Sequence, residues 1–149
     1  MVNKLTTRWF QPADYGRISP QEVLRVSAPH YASLLHQMGP AITWLLDGQP
    51  VAAAGLVTVW PATAEAWTII GPPVSAVARS FHYSVRRTLN LFADVGRYHR
   101  IQTYVDASEP RFQRWAESLG FVREATMLHW GPHKENYMLY AWFPWLRQR

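Results

Sequence analysis

Glu65-Ala66-Trp67-Thr68-Ile69-Ile70-Gly71-Pro72-Pro73-Val74-Ser75-Ala76-Val77-Ala78-Arg79 carries the change of period on which the fold turns. Up to Ile70 the residues are β-branched, aromatic or small and read as a strand, which Gly71-Pro72-Pro73 cuts off. Beyond it Val74, Val77, Ala78, Phe81, Val85, Leu89, Phe92 and Val95 fall on one helical stripe. Arg79, His82, Arg86, Asn90 and Asp94 lie mostly off that stripe, and Gly96 ends a helix of about six turns. A strand that turns tightly into a long amphipathic helix places the chain in the α/β class.

Upstream, Ile42–Leu46 and Val51–Val59 flank Asp47-Gly48-Gln49-Pro50, and Asp-Gly is strong hairpin punctuation. Pro61 ends the second of these strands, so three strands form an antiparallel meander with Glu65–Ile70. A first strand is expected over Asn3–Phe10, broken by Gln11-Pro12-Ala13-Asp14. Ser19-Pro20-Gln21-Glu22 has a cap residue, proline at the first helical position and acid in the first turn. Ile18, Val23, Leu24 and Val26 would be the apolar side of that helix. Pro29 interrupts it, and His30–Met38 reads as a second short helix stopped by Gly39-Pro40.

Downstream, Ile101–Val105 is a strand ended by Asp106-Ala107-Ser108-Glu109-Pro110. A short helix then carries Phe112, Trp115, Ala116 and Leu119 to Gly120. Phe121–His129 and Asn136–Phe143 are two last strands around Gly131-Pro132-His133-Lys134. In the final strand Tyr137, Leu139 and Ala141 face one way and Met138, Tyr140 and Trp142 the other. Both faces are apolar, so that strand is either buried on both sides or part of an interface, and an interface is the expected reading.

The 149 residues suit one domain over 1–149, with no repeat or linker. Apolar residues make up 48% and charged residues 17%, with eight Trp, seven Tyr and six Phe, which excludes disorder and coiled coil. No apolar run reaches the roughly 20 residues of a membrane span, and the N-terminus lacks a signal-peptide core, so a cytoplasmic protein is expected. The absence of cysteine removes disulfides and thiolate chemistry. Net charge is +5, carried almost wholly by arginine, which suits a grip on phosphate or carboxylate.

The element order, with Arg111-Phe112-Gln113-Arg114-Trp115-Ala116-Glu117-Ser118-Leu119-Gly120-Phe121 and the preceding Val105-Asp106-Ala107, resembles the GNAT N-acetyltransferase superfamily over nearly the whole chain. Arg-Trp…Leu-Gly-Phe followed by His129-Trp130-Gly131-Pro132 is similar, within it, to acetyltransferase-like and internal virion proteins of tailed phages. The resemblance implies a GNAT-like mixed, mostly antiparallel seven-stranded sheet with about four helices. It also implies a ligand cleft between the strands near Ile70 and Tyr104. It implies that acetyl-CoA pairs with Thr68, Ile69 and Ile70, and that its diphosphate sits on the following helix, where Ser75 would cap and Arg79 would reach a phosphate. An amine is the implied acceptor, with Glu65 the acid nearest to where the family's bases lie, and Tyr104, Tyr137 or Tyr140, none singled out by spacing, as substitutes for the acid toward the departing thiolate.

The sequence departs from the family twice. The phosphate loop, usually Arg/Gln-x-x-Gly-x-Gly/Ala, keeps one glycine here, and Pro72 and Pro73 remove two N–H donors. The position of the family's tyrosine, four before the glycine of Leu-Gly-Phe, is Ala116. These departures raise an alternative: a non-catalytic virion or assembly protein in a phage-infected host, docking on a second copy or on phage structural proteins through its aromatic last strand. No metal site is expected, because Gly131-Pro132 separates His129 from His133 and no acidic cluster accompanies the other histidines. Nucleic acid is disfavoured too: Arg79, Arg86 and Arg97 build no continuous stripe, and Asp94 interrupts them. His82, one turn beyond Arg79, reads as a surface histidine rather than a base.

Overall fold

The computed structural model describes residues 3–18 and 28–146. Seven strands form one mixed, mostly antiparallel sheet in the order β1-β2-β3-β4-β5-β7-β6. They are β1 Leu5–Trp9, β2 Ala41–Leu46, β3 Gln49–Trp60, β4 Thr63–Ile70, β5 Arg100–Asp106, β6 Val122–Met127 and β7 Tyr137–Trp142. Among the described residues the α-helices are α1 Pro12–Ile18, α2 Ala28–Gln37, α3 Ala78–Gly96 and α4 Pro110–Ser118. The chain divides into two compact bodies, Met1–Thr58 with Ala66–Val85, and Val59–Glu65 with Arg86–Arg149.

In the first body the Asp-Gly hairpin is tighter than expected. Asp47 and Gly48 both take positive φ (50° and 84°), and strand pairing resumes at once with Leu46↔Gln49. This is the two-residue turn whose twist matches the flanking strands, so Gln49 and Pro50 belong to β3 rather than to the loop. Proline is tolerated at Pro50 beside a register shift between Trp44 and Leu45. Gly39 is a close-approach glycine: a Cβ there would overlap the Leu56 carbonyl, while Leu56 N and Thr58 N donate to Pro40 and Met38 on either side of it. Phe10, Tyr15, Ile18, Leu35, Ala41 and Ala53 form a buried cluster, against which Val57, Trp67 and Ile69 pack. Trp44, fully buried, meets Phe81 edge-on and donates from Nε1 to Ser84 Oγ at 2.8 Å.

The N-terminal helices differ from expectation. Gln11-Pro12-Ala13-Asp14 is not a break but the start of α1. Pro12 is the first helical residue, where its missing N–H costs nothing, and the Asp14 carboxylate accepts from Gln11 N at 3.0 Å. The helix expected from Ser19 lies outside the described residues beyond Ile18. Helix α2 begins at Ala28, so Pro29 sits in its first turn instead of before it.

In the second body β7 pairs antiparallel with β5 and with β6, which makes it an internal strand. Tyr140, Ala141 and Trp142 are at most 1% exposed, so burial on both sides accounts for the apolar faces of that half of the strand. Gly120, at φ +102°, ends α4 in a conformation that side chains rarely adopt. On α3, Leu89 and Phe92 are buried as the stripe predicts, but in the last turn Ala93 (2% exposed) is the buried residue and Val95, two positions on, is 77% exposed.

Candidate active site

The second body holds a connected polar cluster built on strand alternation. β4 and β5 run parallel through Thr63↔Arg100, Ala64↔Ile101 and Glu65↔Gln102. Paired residues share a face, and so do residues two apart along a strand, so Glu65, Arg100, Gln102 and Tyr104 point the same way. The Tyr104 hydroxyl donates to Glu65 Oε1 at 2.5 Å. Gln102 Nε2 donates to the same carboxylate oxygen at 3.1 Å and to the Tyr104 oxygen at 3.0 Å. Burial, followed by the hydrogen bond to Glu65, raises the Tyr104 pKa above the ordinary tyrosine value. Tyr104 therefore stays a proton-bearing donor through neutral pH. The Trp130 ring lies against it, 5.1 Å between centroids at 30°, and is itself about half exposed.

Gln102 is itself held from the far side by an ion pair. Arg100 donates from Nε to Gln102 Oε1 at 2.9 Å and grips Glu124 with both terminal nitrogens, at 2.9 and 2.6 Å. That pairing raises the pKa of Arg100 and lowers that of Glu124. The Arg100 guanidinium also lies 5.7 Å from the centre of the Phe143 ring.

Glu65 and Tyr104, both candidates from the sequence, are thus joined directly. Tyr137 lies on the neighbouring strand β7. It pairs with Asp106 on β5 and Met127 on β6, one strand further along the sheet. Arg100, Gln102 and Glu124 escaped the sequence reading because they meet Glu65 and one another across strands rather than in any local motif. The signal was the spacing of Arg100, Gln102 and Tyr104, a polar face of period two on a strand otherwise read for Ile101 and Val105.

The first body contains the strand end and turn predicted to hold an anionic ligand. Thr68 is exposed on β4, and Ile69 and Ile70 are half-buried. The segment after Gly71 is not the first turn of the long helix but a separate 3-10 turn, Pro72–Val77, with α3 following from Ala78. Two prolines at its start favour that tighter geometry, since they supply no N–H. Ser75 does not cap a helix: its hydroxyl donates to the Pro72 carbonyl at 3.0 Å, and Gly71, at the cap position, makes no side-chain cap bond. Arg79 is exposed, with its guanidinium 5.9 Å from the Tyr83 ring centre. His82 is half-buried with its ring edge-on to Tyr83. A diphosphate at this turn would meet no N–H at Pro72 or Pro73, and the Val74 N–H is already given to Gly71 O at 3.2 Å. Arg79 is a cationic side chain left to meet it, and the Ser75 hydroxyl, whose proton goes to the Pro72 carbonyl, would have to turn to do so.

Among the described residues no group of three or more His, Cys, Asp or Glu could hold a metal ion, and no helix is long and apolar enough to cross a membrane.

This architecture is the fold of N-acetyltransferases. A mutant of SpeG, a spermidine N-acetyltransferase from Vibrio cholerae, superposes with a TM-score of 0.76 at 16% identity over 94% of each chain. A chimera of SpeG with hSSAT gives 0.77 at 15%, over 97% of this chain and 99% of that one. The acetyl-CoA complex of yncA, a putative acetyltransferase from Salmonella typhimurium, gives 0.77 at 16% over 95% of each. At these identities the likeness is one of fold. The sequence matches no family model and no curated protein.

Proposed function

We propose that the protein is an acetyl-CoA-dependent N-acetyltransferase whose proton-transfer site is the Tyr104–Glu65 pair. The observation that carries this reading is the 2.5 Å hydrogen bond between those side chains, three residues before Thr68 on the same strand. The fold likeness to acetyltransferases, one of them solved with acetyl-CoA, supports the cofactor. Acetyl-CoA supplies the acyl group as a thioester. Backbone groups of Thr68–Ile70 hold its pantetheine arm, and Ser75 and Arg79 hold its diphosphate.

Glu65 accepts the proton that the amine sheds as its nitrogen bonds to the acyl carbon. The carbon–sulfur bond breaks, and the thiolate takes a proton from Tyr104, which recovers one from Glu65 through their hydrogen bond. Atoms balance: one N–H proton leaves the amine and one S–H bond forms. The rest of the rate comes from holding amine and thioester together. The test is thiol release from acetyl-CoA over a panel of amines that includes spermidine. Turnover by the wild-type chain, lost in Glu65→Gln with acetyl-CoA affinity intact, is expected; equal turnover in that variant would remove Glu65 from the chemistry.

A second reading keeps the fold for docking in a phage particle or a homo-oligomer. The exposed Trp130 and Trp145 (53% and 76%) favour it, whereas Tyr140 and Trp142 are spent on the core. Under it Trp145→Ser disperses an assembly seen by sedimentation; an unaltered profile counts against it.

A further inference from the structure

β6 pairs with β7 through Arg123↔Tyr140 and then Ala125↔Leu139, so Glu124 is an extra residue, a β-bulge. A bulge re-aims the side chain of the strand that carries it. Here the re-aimed carboxylate reaches past β7 to Arg100 on β5 and takes both of its terminal nitrogens. We propose that Glu124 and Arg100 are positioning residues that act through Gln102 to fix the direction of the proton in the Tyr104–Glu65 pair, an inference that rests on the reading of that pair given above.

The chemistry of the donors and acceptors forces the direction. Arg100 has donors only, so the Gln102 group facing its Nε is the amide oxygen, and the amide nitrogen is turned to the other side. That nitrogen donates to the Tyr104 oxygen and to Glu65 Oε1. With Gln102 donating to it, the Tyr104 oxygen is an acceptor on that side, and its own proton goes to Glu65. Were Gln102 to flip, its oxygen would face a carboxylate oxygen and compete with Glu65 for the tyrosine proton. Arg100 forbids the flip, and Glu124 forbids the rotation of Arg100. Lysine cannot replace Arg100, because three donors aimed at two partners need the planar guanidinium.

Among the described residues, Glu65, Arg100, Tyr104 and Glu124 are the charged and titratable groups that the cluster itself joins on this face. Asp106 shares it by alternation on β5 and accepts from Ser108 N and Oγ, and Tyr137 stands opposite Asp106 on β7.

Two measurements on the full chain test this. The first needs no acetyl-CoA: with tyrosine labelled at Cζ, the carbon resonance of Tyr104, assigned with Tyr104→Phe, is followed against pH. In Arg100→Met the Tyr104 titration should move upward by about half a unit or more, since a nearby cation is lost and Gln102 is freed to turn its oxygen. Glu124→Gln should disturb the same resonance, and Arg100→Lys, which keeps a cation but loses the fork, should move it upward by the smaller part that comes from freeing Gln102. An unmoved titration in Arg100→Met overturns the relay whether or not the protein acetylates anything. The second is a double-mutant cycle on turnover. Arg100→Met should lower kcat about tenfold with KM for acetyl-CoA unchanged, and adding it to Gln102→Leu should cost nothing more. Full additivity of the two losses would show that Arg100 does not act through Gln102. Absence of any turnover in the wild-type chain is failure of the proposed function and leaves the first measurement to decide the relay.

Discussion

Each compact body contains an arginine–carboxylate fork, and the two forks have opposite surroundings. In the first body Arg8 holds Asp14 through bonds of 2.7 and 2.8 Å, and Asp14 also accepts from Gln11 N and Thr43 Oγ1. That carboxylate is 1% exposed, and all its partners belong to the chain. Burial alone would raise its pKa, but the Arg8, Gln11 and Thr43 hydrogen bonds together outweigh burial and hold it below the usual carboxylate value. In the second body Arg100 and Glu124 are both partly exposed, and the network runs on through Gln102 to a carboxylate and a phenol. A closed network with every acceptor used ties β1, α1 and β2 together. An open one ending in an acid and a base is equipped for proton transfer. Under the proposed function, the contrast separates a structural ion pair from one that serves proton transfer.

The largest effect is expected where the network is closed. Asp14→Ala leaves Arg8 and Thr43 without their buried partner and should destabilise the fold by about 3–5 kcal/mol in urea unfolding. A loss under 1 kcal/mol would erase the distinction between the two forks. The same carboxylate sets a pH dependence. Its folded pKa lies below its unfolded one, so its contribution is complete above the ordinary Asp value of 3.8 and is lost as pH falls through the lowered folded value. Thr43→Val should weaken that acid-side loss, measured as the unfolding midpoint between pH 5 and pH 2.

Next comes the open network. Glu65→Gln should lower turnover by about a hundredfold, within the range for a lost general base, while changing stability by less than about 0.5 kcal/mol. A large stability loss instead would put Glu65 in the same structural class as Asp14. The smallest effect falls on the anion-binding turn. Arg79→Ala should weaken acetyl-CoA binding a few-fold, about 1 kcal/mol for an exposed charged contact, and unchanged affinity would take Arg79 out of the site.

The same contrast marks what could be read in advance. Local signals with their own physics came through: Asp47-Gly48 as a hairpin, the stripe from Phe81 to Phe92 as a helix face, and Pro110–Ser118 as a helix ended by Gly120. Proline was the recurring source of error. Pro12 reads as a breaker and starts a helix, and Pro72-Pro73 delays α3 behind a 3-10 turn. In each case the residue's effect depends on whether its missing N–H had a partner to lose, which sequence does not state. Glu65 and Tyr104 could be named, but their union spans 39 positions and needs the parallel register of β4 and β5. Asp14 looked like part of a break because its three partners lie on β1, β2 and the helix start, and burial rather than motif gives it its role.

The central claim, that the fold is used for acetyl transfer, is tested most directly by isothermal titration of the protein with acetyl-CoA, with CoA for comparison. Micromolar binding is expected, held through Ser75, Arg79 and the backbone of Thr68–Ile70 despite the Gly71-Pro72-Pro73 turn. No heat and no thermal shift at millimolar acetyl-CoA would contradict it and leave the Tyr104–Glu65 pair without a thioester to serve.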